Sequence, residues 1–222
     1  MSSITIFNSE LALKIRQCGI IAVLIIDDPE RAVPLAETLL ENGINAMELT
    51  LRTSAALEAL RLIRNRVPAM IAGVGTVLTP EQVDAVCDGG AAFAVSPGLN
   101  RRVVGRAIER GLSFAPGIMT PSDIEAALEM NCRLLKFFPA ESSGGIKHLQ
   151  SMASPYLHQQ LSFIPLGGIN AANLAAYTGN SLVSAVGGSW IAPREAIMDG
   201  DWKTIGRNAA EAVAIIKISR GE

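Results

Sequence analysis

The chain has 222 residues, of which 49% are hydrophobic and 18% are charged, so a large packed core is expected and disorder is disfavoured. Its 19 basic and 21 acidic residues leave a net charge of −2 without a basic tract, which argues against nucleic acid as a partner. No apolar stretch reaches the roughly 18 residues of a membrane span, so no membrane partner is expected.

Short apolar runs alternate with amphipathic stretches along most of the chain. A leading helix is predicted over residues 5–18. The runs typical of buried strands lie at 19–26, 46–51, 70–73, 92–95, 112–115, 134–138, 162–166 and 183–186. The stretches with helical periodicity lie at 29–41, 54–65, 80–88, 101–109, 121–130, 145–151, 171–177 and 201–218.

Strict alternation of apolar strands and helices predicts an α/β fold with a parallel sheet covered by helices. Eight strand–helix repeats in this length predict a closed (β/α)8 TIM barrel, with the leading helix as an extra N-terminal element. We expect one domain over residues 1–222, because no linker interrupts the pattern. The alternative is an open doubly wound sheet, but its G-x-G-x-x-G dinucleotide motif is absent after the first strand.

The second predicted strand ends in Glu48-Leu49-Thr50-Leu51-Arg52. Because side chains alternate along a strand, Glu48, Thr50 and Arg52 share one face and point into or above the barrel. A guanidinium there can bind a substrate carboxylate through two hydrogen bonds, and a buried Glu48 can shuttle protons. The alternative is a structural Glu–Arg pair that fills the barrel.

Two further strand ends carry residues suited to a ligand pocket. Gly75 and Thr76 follow the third predicted strand, where glycine lets the backbone approach a ligand and threonine offers a hydroxyl. Pro97 follows the fourth strand and suits a rigid pocket wall. Plain tight turns remain the alternative at both places.

The sixth predicted strand carries Lys136 between apolar neighbours, in Leu134-Leu135-Lys136-Phe137-Phe138. Buried lysines are rare because an ammonium loses its hydration, and burial favours the neutral amine. A neutral amine in a dry pocket is the nucleophile that forms a Schiff base with a ketone. The alternative is a lysine at a strand end whose ammonium reaches solvent or pairs with a carboxylate.

Glycine pairs follow the last two predicted strands. Gly167-Gly168 precedes a helical stretch, and Gly187-Gly188 precedes Ser189. In (β/α)8 barrels the turns after the last two strands commonly hold phosphate through free N–H groups at a helix N-terminus. The two turns therefore predict a phosphorylated ligand, unless the glycines only allow tight packing of the backbone.

Other kinds of site have little support. The histidines, His148 and His158, lie in a polar helix–loop region, and no His, Asp and Glu cluster has the spacing of metal ligands or of a Ser-His-Asp site. The cysteines, Cys18, Cys87 and Cys132, are too widely spaced for a disulfide framework. The N-terminal segment also lacks the pattern of a signal peptide. We therefore expect no metal, no other cofactor and a reducing, cytoplasmic setting.

Together these motifs resemble those of the 2-keto-3-deoxy-6-phosphogluconate (KDPG) aldolases, class I aldolases that often also act on 4-hydroxy-2-oxoglutarate. The resemblance runs in order from about residue 20 to residue 215 and rests on residues 48–53, 75–77, 96–98, 136–141, 167–169 and 187–190. It implies a (β/α)8 barrel that forms a homotrimer without metal. It also implies cleavage of KDPG to pyruvate and glyceraldehyde 3-phosphate, the last step of the Entner–Doudoroff route.

The resemblance assigns a role to each matched residue. Lys136 is similar to the Schiff-base lysine and Glu48 to the general acid and base. The residues that match substrate-binding groups are Arg52 and Thr76 at the pyruvyl carboxylate, Pro97 and Phe138 around the pyruvyl group, and Gly167, Gly168, Gly188 and Ser189 at the phosphate.

One position departs from the family pattern. Leu166 precedes Gly167, where many members of the family have a threonine near the hydroxyl groups of the substrate. Loss of that hydroxyl leaves the 6-phosphogalactonate epimer, or a relaxed specificity, as an alternative, because polar discrimination needs a paired group. A phosphate-binding barrel isomerase or synthase that uses Glu48 as its base also stays open, as does a barrel that binds a sugar acid without turnover.

Overall fold

A computed structural model describes residues 6–221 of the chain. Over that range it shows an α/β fold in which short parallel strands alternate with helices, as predicted. The leading helix, predicted at 5–18, is observed at Ser9–Cys18. Residue 5 and the rest of the N-terminal segment 1–5 lie outside the described residues.

The elements have the following bounds. The strands are Ile20–Leu24 (β1), Ala46–Thr50 (β2), Ile71–Gly75 (β3), Ala94–Val95 (β4), Phe114–Ala115 (β5), Gly117–Ile118 (β6), Leu134–Phe137 (β7), Ser162–Pro165 (β8) and Val186–Gly188 (β9). The α-helices are Ser9–Cys18 (α1), Ala32–Glu41 (α2), Ala56–Arg66 (α3), Pro80–Asp88 (α4), Arg101–Glu109 (α5), Pro121–Glu129 (α6), Gly145–Ala153 (α7), Leu174–Thr178 (α8), Arg194–Asp199 (α9) and Trp202–Arg220 (α10). Short 3-10 helices lie at Pro29–Arg31, Glu141–Ser143 and Ser154–Gln159.

The strands form two curled parallel sheets. One has the order β5-β4-β3-β2-β1-β9, and the other has the order β6-β7-β8. Only Pro116 separates β5 from β6, and single parallel bridges join Phe163 to Val183 and Leu166 to Gly187 on the other side. The arrangement is therefore barrel-like, with the carboxyl ends of all strands at one end.

A proline and a short segment explain two of the differences between the observed and the predicted elements. The fifth predicted strand, 112–115, is observed as β5 and β6, because Pro116 lacks the N–H group of a regular ladder. Helix α9 has six residues and was not predicted, since so short a segment shows little periodicity. The predicted helices 80–88 and 101–109 are confirmed at the same bounds.

Threonine caps start two of the helices that lie on the outside of the strands. The hydroxyls of Thr79 and Thr120 each accept a hydrogen bond from the backbone N–H of the third helical residue, and the side chains of those residues, Gln82 and Asp123, accept one from the backbone N–H of the cap. Each cap contributes about 1 kcal/mol, which fixes the turns that lead out of β3 and β6.

The strands separate two apolar layers. The larger layer lies between the strands and the helices and includes Leu49, on the outer side of β2. The smaller layer lies among the strands and includes Phe93, Ile164, and Phe7 and Ile15 from the N-terminal segment. Apolar side chains thus fill the space enclosed by the strands at their amino ends, and polar side chains remain at the carboxyl ends.

Candidate active site

A cavity of about 250 Å³ opens at the carboxyl ends of the strands. Strands of both sheets contribute to it. Its polar lining residues are Glu48, Thr50, Arg52, Thr76, Lys136 and Ser189, and the others are Val23, Ile25, Pro97, Phe138, Leu166, Gly167 and Gly187. The cavity therefore holds the reactive side chains singled out from the sequence, on a largely apolar wall.

Lys136 and Glu48 form a buried pair at the base of the cavity. Lys136 extends from β7 and Glu48 from β2, and the Lys136 Nζ donates to Glu48 Oε1 at 3.1 Å. The two side chains are 6% and 2% exposed. The Lys136 Nζ also lies 5.4 Å from the centre of the Phe138 ring. An amine and a carboxylate held this close in a dry site can exchange a proton with each other or with a bound carbonyl compound.

Arg52 lies in the turn after β2, at the mouth of the cavity. Its guanidinium has no carboxylate partner within residues 6–221, so its donors are available to a ligand. Hydrogen bonds hold the turn on both sides of Arg52. The hydroxyls of Thr50 and Thr53 donate to the carbonyl oxygens of Leu24 at 3.0 Å and Ile26 at 2.5 Å. The backbone on both sides of Arg52 is therefore fixed, while its exposed guanidinium extends from this turn at the mouth of the cavity.

Thr76 has a strained backbone directly after β3. Its φ angle is +63°, in the left-handed region that a β-branched residue rarely adopts. Such a conformation costs on the order of 1–3 kcal/mol and is commonly found at functional sites. It places Thr76 in the cavity wall, next to Gly75, whose missing side chain leaves the space that Glu48 occupies.

The wall near the Lys136 amine is rigid. The hydroxyl of Ser96 donates to the carbonyl oxygen of Gly98 at 2.6 Å and closes a tight turn around Pro97. A Cβ atom on Gly117 of β6 would lie 2.2 Å from the carbonyl oxygen of Pro97, so this glycine is needed for the close approach. Pro97 is thereby held in the lining of the cavity.

The glycine turns reach the cavity only in part. Gly167 and Ser189 line it, whereas Gly168 and Gly188 do not, and the lining position in the second turn belongs to Gly187 instead of Gly188, to which the family resemblance assigned a role. Gly187 is paired with Ile21 of β1 and bridged to Leu166. A side chain at Gly187 would therefore point inward, whereas a side chain at Gly188 would point outward, against Trp190.

A larger depression of about 440 Å³ lies at the opposite end of the strands, between α1 and the end of α10. Its most basic lining residues are Arg16 and Arg220. Arg220 joins two parts of the backbone there, because its Nη1 and Nη2 donate to the carbonyl oxygens of Arg16 and Ser184 at 2.7 and 3.1 Å. We interpret this depression as the junction of the two ends of the chain and not as a catalytic site.

Within residues 6–221, no three His, Cys, Asp or Glu side chains come together as a metal site would require. The same part of the chain contains no helix with the length and apolar character of a membrane span.

The family model and the similar known proteins point to the same family. The model of the aldolase family "KDPG and KHG aldolase" matches residues 11–208. A 2-dehydro-3-deoxy-phosphogluconate aldolase of Dickeya dadantii is 43% identical over 88% of this chain and 91% of its own length. A KHG/KDPG aldolase of Escherichia coli K12 is 40% identical over 90% of this chain and 92% of its own.

A solved structure shows the same fold and a trapped reaction intermediate. The KDPG aldolase of Legionella pneumophila, with pyruvate captured as a covalent carbinolamine, has a TM-score of 0.85 and 37% identity, and the match covers 90% of this chain and 97% of that one. Because the family model and these relatives cover nearly the whole chain, the protein belongs to the KDPG and KHG aldolase family.

Proposed function

We propose that this protein is a class I aldolase that cleaves KDPG to pyruvate and glyceraldehyde 3-phosphate, and that it also cleaves 4-hydroxy-2-oxoglutarate to pyruvate and glyoxylate. The observation that carries the proposal is the buried contact of 3.1 Å between Lys136 Nζ and Glu48 Oε1 inside the cavity. The carbinolamine trapped in the Legionella pneumophila relative supports the same chemistry.

Binding would orient the keto acid across the cavity. Arg52 and the Thr76 hydroxyl bind the carboxylate, and Pro97 and Phe138 pack around the pyruvyl carbons. Gly167 and Ser189, which line the cavity, bind the phosphate at the other end, and the backbone of Gly168 and Gly188 contributes from outside the lining. The ketone carbon then lies between these two groups, within reach of the Lys136 amine.

After Lys136 passes a proton to Glu48, its amine attacks the ketone carbon, and a proton moves from the nitrogen to the new alkoxide to give a carbinolamine. Glu48 gives a proton to the departing hydroxyl, so water leaves and an iminium remains. The iminium accepts the electron pair of the bond between C3 and C4, while the C4 hydroxyl gives its proton to Glu48, directly or through water. The aldehyde departs, the enamine takes a proton at C3, and water returns to release pyruvate from Lys136.

A coupled assay tests the proposed function. Purified protein mixed with KDPG should release pyruvate and glyceraldehyde 3-phosphate in equal amounts, measured with lactate dehydrogenase and glyceraldehyde-3-phosphate dehydrogenase. The rate should not change when EDTA is present, because no step uses a metal. Protein that binds KDPG without forming either product would contradict the proposal.

Gly75→Ala tests the position of the Glu48 carboxylate. A Cβ atom at Gly75 would lie 1.7 Å from Glu48 Oε1, so the carboxylate has to move. Displacement of a reacting group by about 1 Å costs about 100-fold, and we expect kcat for KDPG cleavage to fall by that factor. Gly105→Ala is the matched control, because its Cβ atom would meet nothing within 4 Å. An unchanged kcat in Gly75→Ala would argue against a catalytic Glu48.

The 6-phosphogalactonate epimer is a second candidate substrate. Leu166 is 4% exposed and lines the cavity, so this part of the wall has no side-chain hydrogen bond with which to distinguish the two epimers. We expect the protein to cleave both epimers with kcat/KM values within about tenfold of each other.

Leu166→Thr should raise the preference for KDPG over its epimer by about tenfold, because it returns a hydroxyl to this wall. Leu166→Val is the control, since valine has the shape of threonine without the hydroxyl and should leave the ratio unchanged. Equal ratios in the two variants would show that Leu166 only fills space.

The arrangement of the whole chain is a further part of the proposal. We propose that the two sheets form one closed (β/α)8 barrel with α1 as an extra helix, and that residues 1–222 form a single domain. Support comes from the contact between Lys136 and Glu48, which joins a strand of each sheet, and from the bridges between Phe163 and Val183 and between Leu166 and Gly187.

We also propose a homotrimer in the cytoplasm. Exposed Leu157 and Ile218, at 61% and 80%, fit an assembly that covers apolar side chains, and the unpaired cysteines fit a reducing setting. Light scattering should give a mass near three times 23.4 kDa.

A further inference from the structure

The side chain of Glu141 lies between two glycines, beside the cavity and outside its lining. Glu141 belongs to the 3-10 helix that follows β7. A Cβ atom on Gly168 would lie 2.6 Å from Glu141 Cβ, and one on Gly145 would lie 3.2 Å from Glu141 Oε1. Both glycines therefore leave room for this one carboxylate side chain.

The carboxylate meets the hydroxyl of Tyr177, on helix α8. Tyr177 Oη donates to Glu141 Oε1, and the Tyr177 side chain is buried in the outer apolar layer. Burial, followed by the hydrogen bond to Glu141, raises the pKa of Tyr177 above its usual range, so the hydroxyl stays a donor at neutral pH. The bond ties the segment after β7 to the helix after β8.

The same segment holds the glycine turn after β8 through its backbone. The Ala140 N–H donates to the carbonyl oxygen of Leu166 at 2.7 Å, and the Glu141 N–H donates to that of Gly167 at 3.0 Å. These bonds fix one side of the turn, and the Glu141 side chain occupies the space that a side chain at Gly168 would need. The hydrogen bond from Tyr177 holds that side chain in place.

We propose that Glu141 and Tyr177 are positioning residues, which hold the Gly167-Gly168 turn and thereby set the affinity for the phosphorylated end of the substrate. This inference rests on the proposed function, in which that turn binds phosphate. Neither side chain lines the cavity, and the Glu141 carboxylate accepts from the Tyr177 hydroxyl, so we assign both an effect that passes through the turn. Their effect should therefore depend on whether the substrate carries a phosphate.

Tyr177→Phe removes the hydroxyl and keeps the buried ring. We expect KM for KDPG to rise about tenfold, with kcat within about twofold of the unmodified protein. For 4-hydroxy-2-oxoglutarate, which has no phosphate, KM should change by less than about twofold. Glu141→Met, which keeps the stem and loses the acceptor, should give the same pattern. Glu141→Gln, which keeps an acceptor oxygen, should stay within about threefold of the original KM.

Tyr156→Phe is the matched control. Tyr156 Oη also donates to a glutamate, Glu125 Oε1 at 2.8 Å, on the exposed outer surface, so neither KM should change. An equal rise in KM for both substrates, or no rise for KDPG in Tyr177→Phe and Glu141→Met, would overturn the positioning role while leaving the aldolase intact. Unmodified protein that cleaves neither substrate would overturn the proposed function and this inference together.

Discussion

Replacement of Lys136 by methionine is expected to lower kcat/KM for KDPG cleavage by at least about four orders of magnitude, because every covalent step uses its amine. Methionine has a length similar to that of lysine and suits a buried site, where Lys136 is only 5% exposed. The packing around the site should therefore be preserved. The measurement is the rate of pyruvate release over a range of enzyme concentrations.

The Lys136→Met variant also separates the proposed aldolase from an isomerase or synthase. Such an enzyme would use Glu48 as a base and would not need an amine, so it would keep substantial activity. Thermal unfolding has to accompany the assay, because loss of the lysine leaves the Glu48 carboxylate, at 2% exposure, without its partner. Activity within tenfold of the unmodified protein would rule out Schiff-base catalysis by Lys136.

Replacement of Glu48 by glutamine is expected to lower kcat by about 10²- to 10⁴-fold, the usual loss when a general acid and base is removed. Glutamine keeps the volume and the Oε1 acceptor that now faces Lys136 Nζ at 3.1 Å, so the amine should stay in place. KM should change much less than kcat, because Glu48 transfers protons and holds no part of the bound ground state.

The Glu48→Gln variant further distinguishes catalysis from simple binding. A barrel that only senses a sugar acid would bind it equally well with glutamine at this position and would show no turnover in either form. Single-turnover experiments with pyruvate should show slower formation of the adduct at Lys136, with the final amount unchanged. A kcat that stays the same would remove Glu48 from the mechanism.

Much of the site follows from local rules of the sequence. The two-residue period of β2 places Glu48 and Thr50 on one face and Leu49 on the other, as the structure shows. The apolar run around Lys136 indicates burial, and β7 is buried throughout. What such rules cannot give is the meeting of two side chains 88 residues apart, because it depends on how the two sheets curl.

Strand register limits the prediction at the phosphate end. Gly187 and Gly188 are adjacent and identical residues. Only the pairing of β9 with β1 determines that Gly187 lines the cavity and that Gly188 lies against Trp190. A shift of one residue reverses the two faces of a strand, so the sequence alone could not choose between them.

Long-range contacts limit the prediction in the same way. The hydrogen bond between Glu141 and Tyr177 joins residues 36 positions apart and has no local signal. It follows from the way the segment after β7 packs against α8.

The most direct test of Schiff-base catalysis by Lys136 is reduction of the complex with pyruvate. The protein is incubated with pyruvate, treated with borohydride, and measured by intact mass and peptide mapping. We expect one reduced pyruvyl adduct per chain, on Lys136, and no adduct in Lys136→Met. An adduct spread over surface lysines such as Lys14, Lys147 and Lys203, or no adduct at all, would contradict catalysis through a Schiff base at Lys136.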